Sequence, residues 1–75
     1  MTYYTIKSNV PNHFHGPIHT HKERAKEIFL NICKELSAKY PCKMFLRDTN
    51  EKPLRGQIQV EIDGFFYYVE LYIKQ

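Results

Sequence analysis

Asp63-Gly64 separates two β-rich runs, and no other dipeptide restricts this chain so tightly. The first run is Gly56-Gln-Ile-Gln-Val-Glu-Ile62; the second begins at Phe65 and reads Phe-Phe-Tyr-Tyr-Val-Glu-Leu-Tyr-Ile-Lys-Gln. A two-residue type I′ turn needs φ > 0 at both central positions, which glycine gives freely and aspartate tolerates. Such a turn pairs Ile62 with Phe65, Val60 with Tyr67 and Ile58 with Val69. Because successive side chains alternate between faces, Ile58, Val60, Ile62, Phe65, Tyr67, Val69, Leu71 and Ile73 share one apolar face. The other face carries Arg55, Gln57, Gln59, Glu61, Phe66, Tyr68, Glu70, Tyr72 and Lys74. Its first strand is wholly polar there, so this face is at least partly wet. The second strand nevertheless puts three rings on it, with Tyr68 set against Gln59 and Tyr72 against Arg55.

A core face of this size needs a covering layer, and one helix supplies it. Thr20-His-Lys-Glu23 fits a capping box. Ala25, Ile28, Phe29, Ile32, Cys33, Leu36 and Tyr40 follow the 3-4 spacing of a single buried stripe. Leu30 lies off that stripe, Glu35 and Lys39 form an i,i+4 pair in the favourable order, and Pro41 stops the helix. Thr2 to Lys7 alternates as a first strand with Tyr4 and Ile6 inward. Ser8 to Thr20 reads as a loop, broken by prolines, asparagines and a glycine, with Val10, Phe14 and Ile18 pinning it to the core. Cys42 to Arg47 reads as a second strand, with Cys42, Met44 and Leu46 inward and Lys43, Phe45 and Arg47 outward. The expectation is one α+β domain over residues 1–75: a single helix on one face of a four-stranded, mostly antiparallel sheet, in the order β-α-β-β-β. One helix covers only one face of such a sheet; the other must be solvated, bind something, or meet another copy.

Composition narrows the function classes. A chain of 75 residues buries a modest fraction of its surface, which makes a homodimer a live option. Eleven basic residues against eight acidic ones leave a net charge of +3, with the signs interspersed; this permits nucleic-acid binding without requiring it. Cys33 and Cys42 form neither a Cys-x-x-Cys pair nor a disulfide framework. With no signal-like start and no apolar run of membrane-spanning length, the expected location is cytoplasmic, in a cell or an infected host. The Lys-, Ile-, Asn- and Tyr-rich usage suits an AT-rich genome such as a phage's or a mobile element's.

The open face holds the leading constellation: Phe45, Phe66, Tyr68 and Tyr72 with Lys43, Arg47 and Lys74. Tyrosine and phenylalanine give rigid contact area to a protein partner or a second copy. The same rings, interleaved with cations, suit stacked bases and phosphates. Glu61 and Glu70 on that face would repel phosphate, which ranks protein above RNA or single-stranded nucleic acid. The blander alternative is that aromatics simply favour strands. His13, His15, His19 and His21 fall within nine residues and form a candidate metal-binding loop, although structural zinc sites normally draw ligands from separated segments. Lys22, Arg24 and Lys26 at the helix start could hold an anion, against the plainer reading of a solvated face. Catalysis has little support: Ser8 and Ser37 sit in no nucleophile elbow, no glycine-rich phosphate loop occurs, and Cys33 is on the buried stripe.

The run Lys39-Tyr-Pro-Cys42 followed by Gly56 to Gly64 resembles the helix-to-hairpin segment of selenoprotein W-like redox proteins. Where those carry Cys-x-x-Cys, this chain has Asn9, Val10, Pro11 and Asn12, so the resemblance implies no redox function. The element order also resembles the front of double-stranded-RNA-binding-like and ribosome-hibernation domains, without their final helix. The resulting expectation is a small non-catalytic regulator or inhibitor that needs no cofactor and binds a larger protein through the aromatic face or a strand edge. An RNA or single-strand-binding module and a metal-binding protein are the alternatives.

Overall fold

The computed structural model describes residues 3–11 and 17–74. Strands β1 (Tyr3–Ser8) and β2 (Ile18–Thr20) precede helix α1 (Lys22–Ser37), and β3 (Cys42–Arg47), β4 (Arg55–Ile62) and β5 (Phe65–Lys74) follow it. The strands form one sheet in the order β2-β1-β5-β4-β3, and every neighbouring pair is antiparallel. The fold class is α+β, as the patterning implies, but the sheet has five strands rather than four. The added strand is β2, inside the segment read as a loop. Three residues are too few for alternation to show; Ile18, His19 and Thr20 become a strand by pairing with Ile6, Thr5 and Tyr4.

The hairpin follows its turn chemistry. Asp63 and Gly64 have φ of 52° and 82°, and the ladder pairs Ile62 with Phe65, Val60 with Tyr67 and Gln59 with Tyr68. β5 is the central strand, and the core collects on its helix side. Ile6, Phe29, Leu54, Ile58, Val60, Val69 and Leu71 are essentially inaccessible to water. Burying each large apolar side chain contributes roughly 1.5–3 kcal/mol.

The helix presents Ala25, Phe29, Ile32, Cys33 and Leu36 to the sheet, with Ile28 partly buried against the core. Its start differs from the capping-box expectation. Thr20 is held in the β2 ladder opposite Tyr4, so the chain leaves the strand one residue later. His21 becomes the N-cap, its Nδ1 accepting from the Arg24 amide at 3.4 Å. Glu23 still lies in the first turn, where the helix dipole favours a negative charge. The helix ends at Ser37, short of Tyr40, which packs partly buried on the core from the turn that follows. The Pro41 carbonyl already accepts from the Glu61 amide at 3.1 Å, so the chain has entered the sheet there. Glu35 and Lys39 approach to 3.9 Å.

One glycine has a packing reason. A Cβ on Gly56 would meet the Phe29 ring at 2.7 and 2.9 Å, so the absence of a side chain lets this ring lie on β4.

Candidate interaction face and its open edge

Alternation and register define the helix-free face row by row. Thr5 stands between His19 and Tyr72. Toward the other edge, Arg55 stands beside Arg47, and these arginines share a hollow of about 140 Å³ with Tyr72. The next row runs Lys7, Glu70, Gln57, Phe45, and the one after it Tyr68, Gln59, Lys43. Phe66 pairs with Glu61 towards the hairpin turn, and Lys74 pairs with Tyr3 at the far end.

The structure therefore carries Phe45, Phe66, Tyr68, Tyr72, Lys43, Arg47 and Lys74 on one face, but not as one patch. Phe45, Phe66 and Tyr68 are 52, 54 and 36% exposed. Tyr72 and Arg47 are only half-buried, and Lys74 is well apart from Lys43. Tyr68 is fixed from the side: its amide donates to Asn9 Oδ1 at 2.7 Å, and its carbonyl accepts from the Asn9 amide at 3.2 Å. Arg47 is fixed by an Nη2 donation to the Pro53 carbonyl at 3.1 Å. Two guanidiniums directly opposite one another repel, and among the described residues no carboxylate forms an ion pair with either.

The face is not uniformly wet. Thr5 points to this side, yet it is 1% exposed, and its Oγ1 shares a 3.0 Å hydrogen bond with His19 Nδ1. Thr5 is thus closed in by its row neighbours, His19 on β2 and Tyr72 on β5.

His19 and His21 have local structural partners in Thr5 and the Arg24 amide. His13 and His15 lie outside the described residues. Among the described residues no group of three His, Cys, Asp or Glu side chains could hold a metal ion. The basic helix start is largely matched with acid. Asp48 accepts from Lys26 and lies 3.7 Å from Lys22, and Arg24 bonds Glu27 at 2.6 Å. The hydrogen bond between them lowers the Asp48 pKa and raises that of Lys26.

The helix side also departs from expectation at its margin. Met44 lies on the core side of β3, as alternation requires, but it is 54% exposed. The helix leaves the margin of β3 uncovered at this residue. A groove of about 380 Å³ remains, lined by Leu30, Cys33, Cys42, Met44 and Ile58 with Lys34 and Ser37. Both cysteines are free. Burial, then the neighbouring Cys42, pushes the Cys33 thiol up to about 11; burial also raises Cys42, whose thiol donates to the Tyr40 carbonyl at 3.2 Å. Both are poor thiolates at neutral pH.

Sequence reasoning placed Met44 and Phe65 on the core side and missed their exposure, 54 and 67%, and it missed the pairing of Arg47 with Arg55. Pairing Arg47 with Arg55 requires the β3–β4 register, which no turn dipeptide sets. Recognising Met44 as uncovered requires knowing that β3 is an edge. No helix among the described residues is long and apolar enough to cross a membrane. Comparison with known proteins finds no family model that matches the chain, no similar curated protein and no similar solved structure.

Proposed function

We propose that this chain is a small non-catalytic regulatory or inhibitor protein that binds a larger protein through its helix-free sheet face. The observation that carries this reading is the exposure of Phe45, Phe66 and Tyr68 on a face that the helix does not cover. Rings held on paired strands lose little side-chain entropy when they bind, and they fill partner pockets well. The basic margin of Lys43, Arg47 and Arg55 suits a partner with acidic residues around an apolar centre. Cytoplasmic action, in a cell or in a host infected by a phage, fits a reading that needs no bound cofactor.

The test compares native-lysate capture by the wild-type chain with capture by the double variant Phe66→Ser/Tyr68→Ser, each with and without nuclease. A protein retained by the first, lost by the second and indifferent to nuclease is the expected result. Equal retention by both would remove the face from consideration.

One observation favours a second reading, an RNA or single-strand-binding module. Arg47 and Arg55 stand side by side next to Tyr72 with no acidic partner among the described residues, an arrangement suited to a phosphate beside a stacked base. Retention on a mixed nucleic-acid pool that weakens steeply with salt supports it; no retention at low salt excludes it.

A further inference from the structure

A five-stranded sheet has two edges, and these two are unlike. The hydrogen-bond phase of each strand follows from the ladder. Glu61 donates to the Pro41 carbonyl, and the two-residue turn closes on Ile62 and Phe65. Both observations direct the backbone groups of Lys43, Phe45 and Arg47 at β4, because bonded and non-bonded pairs alternate. The N–H and C=O groups of Cys42, Met44 and Leu46 therefore point away from the sheet, along the free edge. On β2 the same alternation leaves only His19 facing outward. The β3 edge is also where exposed apolar side chains crowd: Met44 and Leu30 on the helix side, Phe45 on the other. A long edge with apolar side chains on both sides is a template for another strand.

The strand's own sequence selects which strand. Two copies of β3 meeting antiparallel about a two-fold axis must pair residues of the same face, so only a few registers exist. Centring on Lys43 sets two ammonium groups against each other. Centring on Phe45 sets Lys43 against Arg47 twice. Centring on Met44 avoids both clashes. It places Met44 on Met44, Cys42 on Leu46, and Lys43 over the ring of the second copy's Phe45, a cation on an aromatic. It is also the register that uses all three outward residues, giving three bonded pairs with two hydrogen bonds each.

We propose that β3 joins two copies of this chain in that Met44-centred antiparallel register, making one continuous sheet from two. The axis is perpendicular to the sheet, so both helices lie on one side and both open faces on the other. Met44 and Leu30 of each copy then close the mouth of the groove above β3. The proposal goes beyond the binding function and is tested on the purified chain alone, so either can fail without the other.

Sedimentation or light scattering across a concentration series reads the mass. The expected result is twice the 9.0 kDa chain mass at high concentration, dissociating on dilution. Met44→Pro removes an N–H that the monomer's ladder does not use and should give a monomer with an unchanged circular dichroism spectrum. Two exposed-site variants test the register whether or not the proline is tolerated. Phe45→Lys puts lysine against Lys43 twice and should weaken the dimer on the order of tenfold. Phe45→Glu puts a carboxylate there instead and should keep the dimer, with added salt sensitivity. A wild-type chain monomeric at every concentration would overturn the proposal, as would a dimer that survives Met44→Pro in folded form. Equal weakening by lysine and glutamate at position 45 would overturn the register.

Discussion

The two faces of the sheet are built from the same alternating strands, but they do opposite work. On the helix side, Ile58, Val60, Val69 and Leu71 are sealed under α1. One residue along, Gln59, Tyr68 and Glu70 look outward between them. The difference is coverage, set by topology, since aromatic and β-branched residues occur on both sides. Where the helix falls short, at Met44, the core side is as exposed as the open side; where His19 and Tyr72 flank Thr5, the open side is as buried as the core.

Substitutions should divide along that line, and the largest effect belongs under the helix. Phe29→Ala removes a fully buried ring and should destabilise the chain by about 3–5 kcal/mol, read from the urea midpoint. A loss below about 1 kcal/mol would show that the helix is loosely docked. Next in size is Gly56→Ala, whose new methyl would overlap the Phe29 ring; the expected loss is about 1–3 kcal/mol. The double variant Gly56→Ala/Phe29→Leu should recover part of it if that overlap is the cause.

Much of this contrast is legible in the sequence. The Asp-Gly turn needs only local backbone sterics, so it fixed the β4–β5 register and with it which side each ring occupies. The helix stripe was equally plain, because seven apolar residues repeat at one spacing. Coverage was not legible. The three residues of β2 carry no periodic signal, and their strand state comes from β1 alone. Nor does anything in Cys42 to Arg47 declare that β3 lies at an edge. Thr20 illustrates the same limit: it has the chemistry of an N-cap, but its backbone is held in the ladder, and His21 takes the role. Local chemistry is readable where local forces decide; strand order depends on contacts between distant segments.

Alkaline pH tests the buried side without a mutation. The Cys33 thiol has a folded pKa of about 11 against an ordinary value of 9.0. Above pH 9 the unfolded chain loses this proton while the folded chain keeps it. Stability is therefore intact below the unfolded pKa and falls as pH rises towards the folded one, by no more than about 2 kcal/mol. Cys33→Ala should flatten the urea midpoint against pH over that window. Persistence of the full slope in this variant would assign it to other groups.

Thr5 breaks the simple division, since it is a buried residue on the open face. Thr5→Val keeps the shape and deletes the hydroxyl that meets His19 Nδ1, so the loss should be about 1 kcal/mol. The proton exchange of the Ile18 and Thr20 amides, which face β1, should rise with it if the side-chain bond helps to hold β2 on the sheet. A silent substitution would mean that backbone pairing alone keeps β2 in place.

The smallest stability effect should come from the open face itself, and there it carries the most information. Phe66 and Tyr68 stand over no other layer, so Phe66→Ser and Tyr68→Ser should each shift stability by about 0.5 kcal/mol or less. Tyr72→Ser is expected to be worse, because Tyr72 is half-buried beside Thr5. An unmoved urea midpoint together with lost partner capture would separate folding from binding at these two rings. If the Tyr68 substitution alone unfolds the chain, the open face is a second core surface, and its rings are there to hold the sheet rather than to meet a partner.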